Sequence, residues 1–196
     1  MLKENKIISV LTIENSTLAV DLAKCLFDSG IRNLEITLRT KEAKKAIELI
    51  LSTNLNFNIG IGTVLTLDDL KFAKDIGADF ALSPCTDIEL IKESFKIDFN
   101  FIPGVSTSSD INTAIKLGCK VLKLFPTIQL GGLSYFKSIY SSYKSSELNF
   151  IALGGINEKN FNQLYLTNSV GFAGIRWLKK NGPRKFLRPF LKFNLL

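Results

Sequence analysis

The chain contains no histidine. That absence removes a Ser-His-Asp or Cys-His nucleophile and a His-based catalytic metal site, so any proton transfer must use a carboxylate, Lys, Tyr, Cys or water. Cysteine is scarce too. Cys25, Cys85 and Cys119 are odd in number and irregularly spaced, which fits neither a disulfide framework nor a zinc pattern. Each is expected to be a small buried apolar residue. No apolar run approaches the roughly 20 residues that span a bilayer. The opening MLKENKIISV lacks an apolar core followed by a small-residue cleavage site, and a soluble cytoplasmic protein is expected.

What is present is a core-forming composition, 46% hydrophobic and 22% charged over 196 residues. One compact domain over 1–196 is expected. The net charge of +7 is unevenly spread: acidic residues are absent beyond Glu158, whereas Lys and Arg continue to Lys192. A basic C-terminal segment favours a phosphorylated ligand, an acidic partner or nucleic acid, or is simply a solvated face. Nucleic acid has no other support and is not the expected partner. The last stretch, 179–196, is read as an extension on the outside of the domain. Pro183 and Pro189 interrupt any long amphipathic helix there, which argues against a membrane-surface role.

Short apolar runs alternate with longer amphipathic stretches. Strands are expected at 7–12, 32–38, 57–61, 79–83, 99–102, 119–125, 149–153 and 169–174. Helices are expected near 16–29, 41–51, 66–76, 86–95, 107–117, 132–143 and 157–166. Thr66, Ser106 or Thr107, and Asn157 supply helix-start signals, and Gly30, Gly77 and Gly118 supply stops. Regular strand–helix alternation implies parallel βαβ units, and eight strands imply a closed (β/α)8 TIM barrel of the α/β class. An open doubly wound sheet is the alternative.

In such barrels chemistry collects at the carboxyl ends of strands. In NLEITLRT, Leu34, Ile36 and Leu38 form an aliphatic face, while Glu35, Thr37 and Arg39 share the other. A buried acid and guanidinium must be paired or meet a ligand. In GIGTV, Gly60 and Gly62 permit close backbone approach and Thr63 offers a hydroxyl. In CKVLKLFP, Lys123 lies between leucines late in a central strand. It is either a desolvated amine able to act as a nucleophile, or a lysine that reaches the rim or pairs with an acid. The turns ALGGIN and GFAGIRW open onto expected helix starts, which suits phosphate and suits a plain tight turn equally.

LEITLRT, GIGTV, SPC, FIPGVST, KLFP and LGGI occur in an order and spacing that resembles the 2-keto-3-deoxy-6-phosphogluconate (KDPG) and 4-hydroxy-2-oxoglutarate aldolases. The similarity runs from about residue 6 to 178. It implies a class I, Schiff-base aldolase that needs no metal or other cofactor and forms a homotrimer. It assigns the imine to Lys123, acid–base work to Glu35, and the keto-acid carboxylate to Arg39 and Thr63. Pro84 and Phe125 would line the pocket, with Gly154 and Gly155 at the phosphate end. Two positions depart from the family pattern: Leu153 stands where a threonine is usual, and Arg176 where a serine is usual. Arg176 could hold phosphate as a charged fork or point away. The resemblance therefore implies cleavage of KDPG to pyruvate and glyceraldehyde 3-phosphate. The same imine chemistry on 4-hydroxy-2-oxoglutarate or a phosphogalactonate analogue is an alternative. A barrel retained only for binding or assembly is a third.

Overall fold

The structure is a computed structural model that describes residues 7–143, 147–157 and 159–160, and the backbone of 169–173. Nine parallel strand segments form one sheet in the order β5-β4-β3-β2-β1-β9-β8-β7-β6. They are β1 (Ile7–Leu11), β2 (Asn33–Thr37), β3 (Asn58–Gly62), β4 (Phe80–Leu82), β5 (Phe101–Ile102), β6 (Gly104–Val105), β7 (Val121–Leu124), β8 (Asn149–Ala152) and β9 (Ser169–Ala173). Only Pro103 separates β5 from β6. β5 lies at the end of the strand expected at 99–102 and pairs with β4, whereas β6, just beyond that expected strand, pairs with β7. Eight strand positions therefore close a (β/α)8 barrel, as the alternation predicts, and no free sheet edge is left in it. Proline supplies no N–H, yet its carbonyl still accepts from the Lys123 backbone N–H at 2.9 Å.

The helices are α1 (Ala19–Asp28), α2 (Ala43–Leu51), α3 (Leu67–Asp75), α4 (Ile88–Lys96), α5 (Ser108–Lys116) and α6 (Gly132–Tyr140). α1 is preceded by a 3-10 turn over Ser16–Leu18, and a second such turn, Ser141–Tyr143, follows α6. The expected helix at 157–166 and the basic segment 179–196 lie outside the described residues. Among the described residues no helix is long and apolar enough to cross a membrane. Thr66 and Thr107 both build capping boxes, with Asp69 and Asp110 as the reciprocal acids. Of the two expected caps at 106 and 107, Thr107 occupies the cap position.

Two apolar layers result. Leu34, Ile36, Ile59, Ile61, Leu122, Leu124 and Phe150 face the helices. Ile8, Phe80, Leu82, Ile102, Ile151 and Leu153 fill the barrel, with Val10, Val121 and Phe125 packed against them. This is the period-two alternation of strands buried on both faces. One expectation fails: Cys85 is exposed, because it follows Pro84 in the loop after β4 rather than sitting on a strand. Cys25 is half-buried. Cys119 is buried, which pushes its thiol up to about 11.

Asp110 gives the fold a measurable pH dependence. Its partial burial opposes ionisation, but the backbone N–H groups of Ser106 and Thr107 and the Ser106 hydroxyl bond the carboxylate and hold its pKa below the ordinary value. A carboxyl depressed in the folded state stabilises above its unfolded value, about 4, and that contribution disappears as pH falls through the folded value. Thermal melts across the acid range should therefore show a steeper loss for the wild type than for Asp110→Asn. Parallel curves would remove Asp110 from the acid sensitivity.

Candidate active site

The strands place Glu35 and Lys123 in the barrel interior, each 1% exposed. Lys123 Nζ donates to Glu35 Oε1 at 3.2 Å, across 88 residues of sequence. The two options left open for Lys123 thus resolve into a buried amine that has an acid partner. That partner is Glu35, and the acid on β2 pairs with β7 rather than with Arg39 four residues along. Lys123 Nζ also lies 5.1 Å from the Phe125 ring centre, over its negative face. Glu35 Oε2 is buried and has no hydrogen-bond partner among the described residues. A buried acceptor left unsatisfied is costly, so this oxygen is the natural acceptor for a water or substrate hydroxyl.

Glycine on β3 makes the pair geometrically feasible. Glu35 lies level with Gly60 in the β2–β3 register, and Thr37 with Gly62. A Cβ at Gly62 would stand 2.2 Å from Glu35 Oε1. One at Gly60 would stand 2.2 Å from the Phe80 ring. The two glycines expected to permit close approach therefore clear the space into which the carboxylate and the ring extend.

Directly beyond β3, Thr63 adopts φ 61, a left-handed conformation that a β-branched residue rarely takes. Its hydroxyl accepts from Arg39 Nε at 3.0 Å. Arg39 and Thr63 are thus brought together at the mouth, with Arg39 exposed to solvent. Pro84 lies half-buried in the loop after β4, and a Cβ at Gly104 would strike its carbonyl carbon at 2.3 Å. Phe125 caps the end of β7.

The far end is organised by loop docking. Thr127 N–H donates to the Leu153 carbonyl at 2.7 Å, and Ile128 N–H to the Gly154 carbonyl at 3.1 Å. Gly154 has φ 100, and a Cβ there would lie 2.8 Å from Pro126 Cα. A Cβ at Gly155 would meet Ile128 Cβ at the same distance. These glycines therefore have a packing reason beside any phosphate role. The sequence reading missed that reason, and the glycine pair was its one visible signal. Leu153 points into the barrel with Ile151. Arg176 lies outside the described residues. Among the described residues no cluster of His, Cys, Asp or Glu could hold a metal ion.

Known proteins share the sequence and fold of this chain. A family profile described as "Aldolase: KDPG and KHG aldolase" matches residues 1–184. The chain is 32% identical to the 2-dehydro-3-deoxy-phosphogluconate aldolase of Haemophilus influenzae, covering 91% of this chain and 84% of that protein. It is 33% identical to the KHG/KDPG aldolase of Escherichia coli K12, covering 91% and 83%. A crystal structure of the KDPG aldolase of Legionella pneumophila, with pyruvate captured as a covalent carbinolamine, superposes with TM-score 0.85 at 32% identity, covering 97% and 94%. The corresponding aldolase of Zymomonas mobilis with 3-phosphoglycerate superposes with TM-score 0.83 at 27% identity, covering 94% and 92%.

A parallel barrel with a buried lysine–carboxylate pair, matched in this way, is a carbon–carbon lyase: a class I, pyruvate-dependent aldolase. The chain belongs to the KDPG and KHG aldolase family.

Gly62→Ala tests the geometry directly. The new methyl group must displace the Glu35 carboxylate, and a misplacement near 1 Å can cost about 100-fold in turnover. Aldolase activity should fall by that order while circular dichroism stays unchanged. Retained activity would show that the carboxylate position is not critical.

Proposed function

We propose that this aldolase cleaves KDPG to pyruvate and glyceraldehyde 3-phosphate through an imine on Lys123. The observation that carries the reading is the buried contact of Lys123 with Glu35 beside an unpartnered carboxylate oxygen. Passing the shared proton to Glu35 frees the amine for attack on the C2 ketone. The resulting carbinolamine loses water and leaves an iminium. The iminium accepts the electron pair of the C3–C4 bond as that bond breaks. The C4 hydroxyl gives up its proton to a carboxylate, the aldehyde departs, and an enamine remains. Glu35 returns a proton to C3, and hydrolysis of the pyruvate imine restores the lysine. Glu35 Oε2 suits a bridging water in these transfers. Arg39 holds the substrate carboxylate at the mouth with Thr63, and Pro84 and Phe125 close the pocket around the keto acid. The cycle balances without a metal or redox cofactor.

Gly154, Gly155 and Arg176 are assigned to the phosphate. Leu153 and Arg176, which depart from the family pattern at the far end, support a second reading for the aldehyde half: 4-hydroxy-2-oxoglutarate or a phosphogalactonate analogue, on the same imine chemistry. We also place the enzyme in the cytoplasm as a homotrimer. Exposed Leu65, Leu67 and Ile88, at the starts of α3 and α4, offer apolar surface for self-association. Sedimentation should give three times the 21.8 kDa chain mass; a monomer at assay concentration would refute the assembly.

The deciding experiment combines borohydride trapping with cleavage assays. Pyruvate plus borohydride should add a covalent mass to the peptide carrying Lys123, and Lys123→Ala should lose both adduct and turnover. An adduct elsewhere, or none, would overturn the assignment. Pyruvate release should favour KDPG over the two alternative keto acids. Arg176→Ser should raise KM for the phosphorylated substrate, and an unchanged KM places Arg176 outside the site.

A further inference from the structure

Arg39 is carried by the segment 38–42, which joins β2 to α2. Two contacts fasten that segment to the loop after β1. Thr40 Oγ1 donates to the Ile13 carbonyl at 2.6 Å. Glu42 Oε2 accepts from the Ser16 backbone N–H at 3.3 Å and also from the Ser16 hydroxyl. Ser16 is 1% exposed, so its half of the contact is shielded from water. Glu42 stands at the N-cap of α2, where an acid commonly bonds the free N–H groups of its own helix. Here it makes no such bond. Its carboxylate is turned instead onto the neighbouring loop. The Ser16 hydroxyl, then the Ser16 N–H, hold the carboxyl below its ordinary range, with Lys45 acting in the same sense and desolvation against them. At the inner end of the two loops, Thr12 and Thr37 join their hydroxyls at 3.0 Å. The Arg39 segment is thus tied at both ends to the loop after β1.

We propose that Glu42 is a positioning residue for Arg39: by clasping Ser16 it fixes the height and angle at which the guanidinium meets the substrate carboxylate. This rests on the assignment of Arg39 to that carboxylate. Glu42 and Ser16 carry no recognisable motif, and neither touches the lysine or its acid. Their effect falls on binding of the pyruvyl half rather than on bond cleavage. Loss of the clasp lets the Arg39 segment swing without disturbing the buried pair.

The test compares wild type, Glu42→Ala, Glu42→Gln and Ser16→Ala. For each, the pyruvate concentration giving half-maximal borohydride trapping is measured, with KM and kcat for keto-acid cleavage. Glu42→Ala should raise half-saturation and KM about 5-fold while kcat changes less than about 2-fold, the signature of lost uniform binding. Glu42→Gln retains an acceptor for both Ser16 donors and should recover most of that loss. Ser16→Ala keeps the backbone N–H and should fall between. Unchanged half-saturation in Glu42→Ala, or equal losses in the Ala and Gln variants, overturns the proposal. If Glu42→Ala does not fold, an unchanged half-saturation in Ser16→Ala does so instead. Failure of the underlying site is read separately: wild type that traps no pyruvate refutes Lys123, and Arg39→Ala with normal half-saturation refutes the carboxylate role of Arg39.

Discussion

An ammonium and a carboxylate inside an apolar barrel can remain there only together. Transfer of either one alone out of water costs several kcal/mol, and removing one partner of such a pair commonly costs about 3–5 kcal/mol. Lys123 and Glu35 meet this constraint by direct contact from strands on different sides of the sheet order. Much of the surrounding structure serves that contact. β3 presents glycine where a side chain would collide with the carboxylate. Phe125 lies under the ammonium. Ile8, Phe80, Leu82, Ile102, Ile151 and Leu153 fill much of the interior beside the hydrogen-bonded Asn33 and Asn58. The buried amine and carboxylate are therefore already in contact before any ligand enters.

The mouth is built differently. Its groups are exposed or half-buried and are held by backbone geometry and short polar contacts. Thr63 sits in a strained conformation, and its hydroxyl is directed at Arg39. Strain of this kind persists only where neighbours fix it, and here the Leu38 N–H to Gly62 carbonyl bond does so from the adjacent strand end. A buried charged pair thus lies beneath more exposed loops held by polar contacts.

Much of this was legible in the sequence. Strand alternation separated the aliphatic face of β2 from the face of Glu35 and Thr37 correctly, because side chains on a strand alternate whatever the partner. Thr66 and Thr107 were visible as caps because their acids follow three residues later. The partnership of Lys123 with Glu35 was not derivable from spacing, since it depends on barrel closure. The continuation of the sheet past Pro103 into Gly104–Val105 lay beyond the strand expected at 99–102, because a proline in sequence reads as the end of a strand. Cys85 was misjudged from its type alone: cysteine is usually buried, but a position after Ser-Pro at a strand end is governed by the loop. Ser16 and Glu42 left no trace, because their contact depends on how two loops meet.

The docking of residues 126–129 onto Leu153 and Gly154 has a historical consequence. The segment that follows Lys123 and the loop after β8 share backbone bonds and tolerate no added methyl groups between them. Drift at that seam is confined to side chains pointing away from it, such as position 153 itself. A lineage acquiring a new substrate would therefore exchange one interior side chain at a time over an unchanged main chain, and the lysine would inherit each new specificity without being moved.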